Sequence, residues 1–374
     1  MNTSIIRPAR ITELTSRFQH CVTGYFGEPV FDPSGTRLVY VGFDSLKEGK
    51  VIVRDLAGDT EQEIARTPFV SYHSNAQRWV CGGRGVLFST AHDGQPCPAV
   101  VWLEDAPQTQ VFESLAGWVV RCTSVDGYRG YGNGPPDEEG RQTIRRLHFE
   151  DGKAETLFTA QDILDALPAE CPERDLEWHF SHPVPNRAET LMFVKFQKPR
   201  PWTRDSVTNF PDWGVMAVID LQSGAVRSLG GRVSGHPYWM PDDCSILNIK
   251  QPFDGSKNRH LVVTNALTGE ERRLVDLPIE GPGHPSVSRS GEWFVTDAFT
   301  VDGKAAPIYV GKIDGSQVRE IARMDHAFSG GLDMTAITRG QPHPVWSRCS
   351  RRLVINFNHQ GRYMGLVLLD DFLG

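Results

Sequence analysis

Short apolar runs recur along the chain, each bounded by Gly, Pro, Asp or Ser: Arg37–Val41, Lys50–Arg54, Gly85–Ser89, Thr190–Val194, Val215–Ile219, Trp293–Thr296, Pro307–Val310 and Arg352–Asn356. Runs this short, punctuated this way, predict strands joined by tight turns and hence an all-β protein. Helical periodicity is scarce. The one stretch that predicts a helix is Ala160 to Leu167, with Thr159 or Asp162 at its start and Pro168 after it.

The runs group into a repeating phrase: a lead-in ending in x-Pro, a polar turn, two strands, and a short charge-rich strand. Lead-ins fall at Glu28-Pro29, near His73, near Arg121, and at His182, His236, His284 and His343. These seven units of roughly fifty residues have the spacing of propeller blades. Charge-rich closing strands follow at Glu61–Ala65, Thr109–Phe112, Ala154–Phe158, Val226–Leu229, Arg272–Val275 and Val318–Ala322. The last unit ends with Met364–Leu369 and has none after it, whereas a phrase of the same type opens the chain as Arg10–Leu14. The expectation is one seven-bladed β-propeller domain over residues 1–374, its N-terminal strand completing the last blade and so removing exposed sheet edges.

Two segments interrupt the repeat and read as long loops. One is Gly127–Gly140, rich in glycine and proline; the other, Gln197–Trp213, mixes Lys198, Arg200, Trp202 and Arg204, a combination suited to anionic sugars.

Composition narrows the picture. With 374 residues, 39% hydrophobic and 23% charged, the chain can bury a large core and is neither disordered nor fibrous. A net charge of −7 without a basic stripe argues against nucleic acid as a partner. No apolar run reaches membrane-spanning length, and Arg7, Arg10 and Glu13 leave no apolar segment near the start, so a cytoplasmic protein without a membrane partner is expected. The seven cysteines are scattered with no C-x-x-C pair and read as reduced, mostly buried thiols. No nucleophile elbow or phosphate loop is present, and Cys81–Gly85 reads as a turn.

The candidate chemistry lies in the lead-ins. First strands of propeller blades line the central channel, so His182, His236, His284 and His343 are expected to face a common space, able to bind a metal or move a proton. Neutral imidazole suits a borderline divalent cation, and Gln341, two residues before His343, adds an amide oxygen on the same side. A single such histidine is more often structural; four in one register point to a site. His73, His92, His148, His179, His260, His326 and His359 read as surface or packing residues.

Taken together, these residues resemble the oligogalacturonate lyases, cytoplasmic seven-bladed propellers that depolymerise pectin fragments. The likeness is carried by Arg10-Ile-Thr-Glu-Leu-Thr15, Tyr25-Phe26, Phe31-Asp-Pro-Ser-Gly35, the ordered histidine lead-ins, Gln341-Pro-His-Pro344 and Asn358-His-Gln-Gly361. It implies a metal-assisted lyase, with Mn2+ as the expected cofactor and an acidic oligosaccharide as substrate. His236 matches the base, and His284 and His343 match metal ligands, with Gln341 beside them. The chain departs from the family at Gln341, where a histidine is usual, at Thr338 in place of a glutamine, and near Val215 in place of the catalytic arginine. Arg200, Arg204 or Arg232 is then expected to replace that arginine, with His182, Lys198 and Trp202 contacting substrate. Such enzymes take the weakly acidic C5 proton of a uronate once its carboxylate charge is neutralised. The alternative is a propeller that has lost the chemistry and serves as a carbohydrate-binding or protein-interaction module. A periplasmic scaffold propeller like those of the Tol system is a third reading, disfavoured by the missing signal peptide.

Overall fold

A computed structural model of the chain describes residues 6–25, 27–70, 77–166, 179–197, 214–231, 236–250, 259–277, 283–297, 305–325, 341–359 and 362–373. Its strands form seven four-stranded antiparallel sheets, the blades of a β-propeller. Each predicted closing strand is the fourth strand of its blade, as in Thr60–Thr67 of blade 1 and Val318–Asp325 of blade 6. The seventh blade closes as expected: Arg10–Glu13 pairs with Arg362–Asp370, in register from Arg10 opposite Asp370 to Glu13 opposite Val367. The Arg10 guanidinium forks onto both Asp370 carboxylate oxygens at 2.8 Å.

The chain divides into two compact units. Met1–Ala116 with Gly283–Gly374 holds blades 1, 2, 6 and 7; Gly117–Pro282 holds blades 3, 4 and 5. In the first unit a core cluster joins Leu38, Tyr40 and Val53 of blade 1, Val86 and Phe88 of blade 2, and Val354 and Leu368 of blade 7. In the second unit the alternation of side chains along one strand feeds two cores. Within Leu191–Gln197, Met192 and Val194 pack with Tyr131 and Ile144 of blade 3, whereas Leu191 and Phe193 pack with Trp239 and Ile246 of blade 5.

The polar turn of the repeat has a common construction. In five blades a side-chain oxygen accepts the backbone N–H five residues on: Asp32 from Arg37, Ser124 from Arg129, Asn186 from Leu191, Ser288 from Trp293 and Ser347 from Arg352. Each of these anchors also donates its own N–H to that residue's carbonyl, as Met240 of blade 5 does to Ser245. Four residues before the anchors stand Glu28, Val120, His182, His236, His284 and His343. The histidines therefore share one structural address, and in blade 1 a glutamate holds it.

The glycine-rich segment Gly127–Gly140 is not the long loop its composition suggests, because Arg129–Gly134 is a strand of blade 3. A Cβ on Gly132 would lie 2.5 Å from the Val119 carbonyl oxygen, and one on Gly130 would lie 2.7 Å from the Phe149 ring. These glycines allow close packing inside a sheet. Of the other expected loop, Gln197 ends one strand of blade 4 and Gly214 begins the next, while residues 198–213 lie outside those described.

The helix forms at Ala160–Ala166. It begins as a capping box, the Asp162 carboxylate accepting from the Thr159 N–H at 2.6 Å and hydroxyl at 2.9 Å. Cys21, Cys81, Cys97 and Cys122 are buried free thiols, Cys244 is half-buried and Cys349 exposed. Cys81–Gly83 is a tight turn in which Gly82 and Gly83 take the left-handed φ values of 64° and 88°. Among the described residues no helix is long and apolar enough to cross a membrane.

Candidate active site

The lead-in histidines meet in two pairs, one in each unit. In the first unit His284 and His343 are buried with ring centroids 4.0 Å apart. Both are organised by Asp297, itself 1% exposed, at the end of Trp293–Asp297. Asp297 accepts from the His284 backbone N–H at 2.7 Å and ring Nδ1 at 2.8 Å, and from the His343 backbone N–H at 3.0 Å. Because a carboxylate only accepts, the His284 Nδ1 carries a proton. The His343 Nε2 donates to the Gln341 amide oxygen at 3.1 Å. Tyr25 stands edge-on to both rings, 4.8 Å from His343 and 6.1 Å from His284.

Asn356 of blade 7 also bonds its own lead-in, there through its backbone N–H. Its side-chain oxygen accepts from the Thr23 N–H at 2.8 Å and hydroxyl at 3.1 Å, and its backbone N–H bonds the Pro342 carbonyl at 2.8 Å.

In the second unit the rings of His182 and His236 lie 4.8 Å apart in a T-shaped arrangement, both half-buried. His182 has φ of 58° and His343 of 46°, a left-handed conformation that costs a non-glycine residue roughly 1 kcal/mol or more and tends to persist where function requires it.

Two imidazoles side by side are a partial donor set that fits a borderline divalent cation, and a carboxylate behind one of them is the usual support for such a ligand; the Gln341 amide oxygen, which accepts from His343, would have to give up that bond to join them. Among the described residues no group of three or more His, Cys, Asp or Glu side chains is arranged to hold a metal.

Glu28, at the histidine address of blade 1, is buried and ion-paired with the equally buried Arg78. Burial pushes its carboxyl up to about 7 against the opposing pull of Arg78.

Of the expected site residues, His182, His236, His284, Gln341 and His343 are placed as above. Lys198, Arg200, Trp202, Arg204, Arg232 and Thr338 lie outside the described residues. Val215 falls in the strand Gly214–Asp220. Sequence reading missed Asp297; its signal was an acid closing the otherwise apolar Trp293-Phe-Val-Thr. His260 has its Nδ1 2.7 Å from the Asp276 carboxylate.

No protein-family model matches the chain and no curated protein matches it. Among solved structures it is similar to an oligogalacturonate lyase in complex with manganese, at 16% identity and a TM-score of 0.70, covering 98% of this chain and 96% of that one. An oligogalacturonate lyase from Vibrio parahaemolyticus matches at 15% identity and a TM-score of 0.71 over the same shares. The propeller domain of Cps50 (Swd1) from Myceliophteria thermophila matches at 9% identity and a TM-score of 0.56, covering 98% and 99%. The shared feature at these identities is the fold, which is the propeller that the resemblance implied.

Proposed function

We propose that the protein is a carbon–oxygen lyase that cleaves short uronate-containing oligosaccharides by β-elimination. The observation that carries this reading is the Asp297–His284–His343 arrangement, a buried carboxylate bonded to one imidazole and to the backbone N–H of the neighbouring histidine. The whole-length likeness to oligogalacturonate lyases supports it.

In this reading His236 is the base. It takes the C5 proton, the C4–C5 double bond forms and the C4–O bond breaks, the departing oxygen receiving a proton from water. His182, packed edge-on against it, holds the imidazole in place and contacts substrate. His284, His343 and Gln341 would hold a divalent cation, Mn2+ as in the related structure, which when bound would supply positive charge. Arg200, Arg204, Arg232, Lys198 and Trp202 are proposed to line the path of the acidic oligosaccharide.

Incubation with oligogalacturonides and with glucuronate-containing oligosaccharides, with and without Mn2+, is expected to raise the ultraviolet absorbance of an unsaturated uronate. His236→Ala should abolish that signal without changing the fold; turnover retained in the variant would move the base elsewhere. No signal on any uronate, with no metal in the purified protein, would sink the lyase reading. The valine at the arginine position favours the carbohydrate-binding or interaction module in that event.

A further inference from the structure

The polar turn between the first two strands of a blade lies at the other end of the first strand from the lead-in histidine. In blade 6 the chain runs from His284 through Ser286–Val287 to a turn anchored on Ser288. In blade 7 it runs from His343 through Val345–Trp346 to a turn anchored on Ser347. Both turns belong to the first unit. The residue after each anchor is an arginine, Arg289 in one blade and Arg348 in the next. Repetition thus brings two cations to one address of neighbouring blades, and Arg351 adds a third. All three line one cavity of about 410 Å³, with Trp293 and Glu292 also in its wall.

Little in the protein answers this charge. Among the described residues no hydrogen bond or ion pair engages any of the three guanidiniums. Elsewhere in the same unit Arg10, Arg37, Arg54 and Arg66 each hold a carboxylate. Asp32 also acts on Arg348, but its oxygens are taken by Arg37 at 3.1 Å and Ser34 at 2.8 Å. Arg348 is half-buried; burial pushes its guanidinium below the ordinary value, and repulsion from Arg289 adds to the shift. A half-buried cation held beside another is costly, and an anion between them relieves both the desolvation and the repulsion.

Three guanidiniums against the single Glu292 carboxylate leave two positive charges on the wall, which a dianion neutralises. The forked donors of arginine match the paired oxygens of a phosphoryl group, and the volume suits a small molecule. We infer that this cavity binds a phosphoryl dianion, free or carried by a small molecule, at the end of blades 6 and 7 away from the histidines. The site does not depend on the lyase chemistry.

Calorimetry of the full chain with inorganic phosphate, glycerol phosphate, glycerol and galacturonate tests it, at low ionic strength where exposed charges are least screened. Both phosphates are expected to bind and glycerol to give no heat. Tighter binding of glycerol phosphate would identify an ester as the ligand, and the reverse order the free ion; either supports the site. Arg289→Gln and Arg348→Gln should each weaken phosphate binding about ten- to hundredfold, the range of a hydrogen bond to a charged group. Arg348→Lys, which keeps the charge without the fork, should lose less. Arg66→Gln removes the same charge from an exposed ion pair in blade 1 and should leave binding unchanged. A wild type that binds no phosphate at millimolar concentration, or an equal loss in Arg66→Gln, overturns the inference. So does galacturonate binding that Arg348→Gln weakens as much as phosphate binding, since the cavity would then be a uronate subsite. Arg289 is exposed, so its variant keeps the fold and decides the matter if Arg348→Gln does not fold.

Discussion

Asp297 meets His284 twice, accepting the backbone N–H at 2.7 Å and the ring Nδ1 proton at 2.8 Å through the same carboxylate oxygen. Its second oxygen takes the His343 backbone N–H at 3.0 Å. One buried carboxylate thus fixes the position of both lead-ins and the Nδ1 proton of one ring, and two expected outcomes follow from that geometry.

Asp297→Ala leaves three buried donors without their acceptor. At about 1–3 kcal/mol for each unsatisfied group the loss should be several kcal/mol, although some of it relaxes. Asp297→Asn keeps one acceptor and should lose less. Urea denaturation gives the order wild type, Asn, Ala; an alanine variant with the wild-type midpoint would show that the carboxylate supports nothing. If the pair holds a divalent cation, Mn2+ affinity by calorimetry should also fall about ten- to a hundredfold in either variant.

Glu28 gives a pH signature. Its folded-state carboxyl is raised by burial to about 7 from an ordinary 4.5, so between these values the folded protein keeps a proton that the unfolded chain has released. The stability contributed by that group is full below the lower value and declines as pH rises through the upper one. Glu28→Gln cannot titrate, so wild type should lose stability relative to the variant between about pH 4.5 and about pH 7 and level off above that. Denaturation curves across that range test this, and a wild-type-minus-variant difference that rises with pH contradicts it.

The blade count and the closing strand were legible because lead-in, turn and strand repeat as one phrase, and register alone places four histidines at one address. What stands behind those histidines was not legible. Asp297 comes from a second strand, and a charge at the end of an apolar run reads as the beginning of a turn. Only the pairing of Ser286 with Val295 shows where it lies relative to its lead-in. Gly130 and Gly132 misled for a different reason: composition does not distinguish a glycine needed for a turn from one needed because a carbonyl or a ring occupies the place of its Cβ.

That distinction is measurable. Gly132→Ala forces a methyl against the Val119 carbonyl oxygen inside a sheet, and overpacking of this kind costs roughly 1–3 kcal/mol. Gly140, with φ of 77° and nothing within 4 Å of its Cβ position, carries only the conformational cost of about 1 kcal/mol when replaced by alanine. Melting of the two variants should therefore show the larger loss at position 132. Equal shifts would mean that the sheet yields freely at that point.

The closing strand is the last case. All four residues of Arg10–Glu13 are exposed, so burial of their own side chains contributes little to holding them in place. What holds them is the backbone ladder to Val367–Asp370 and the fork of Arg10 on Asp370. Deleting residues 1 to 13 unpairs the outer edge of Arg362–Asp370, a strand that carries the apolar run Val367-Leu-Leu369. An unpaired apolar edge recruits other chains, so the truncated protein should melt lower and scatter light increasingly with concentration. Arg10→Ala keeps the ladder and should do much less, since an exposed ion pair contributes little. Arg10 also holds the Asp370 carboxyl below its ordinary value, chiefly through their hydrogen bond. The help this pair gives is therefore present above the ordinary carboxylate range and lost as pH falls through the depressed value. A truncated protein that stays monodisperse with the wild-type melting temperature would show that blade 7 does not need its N-terminal strand.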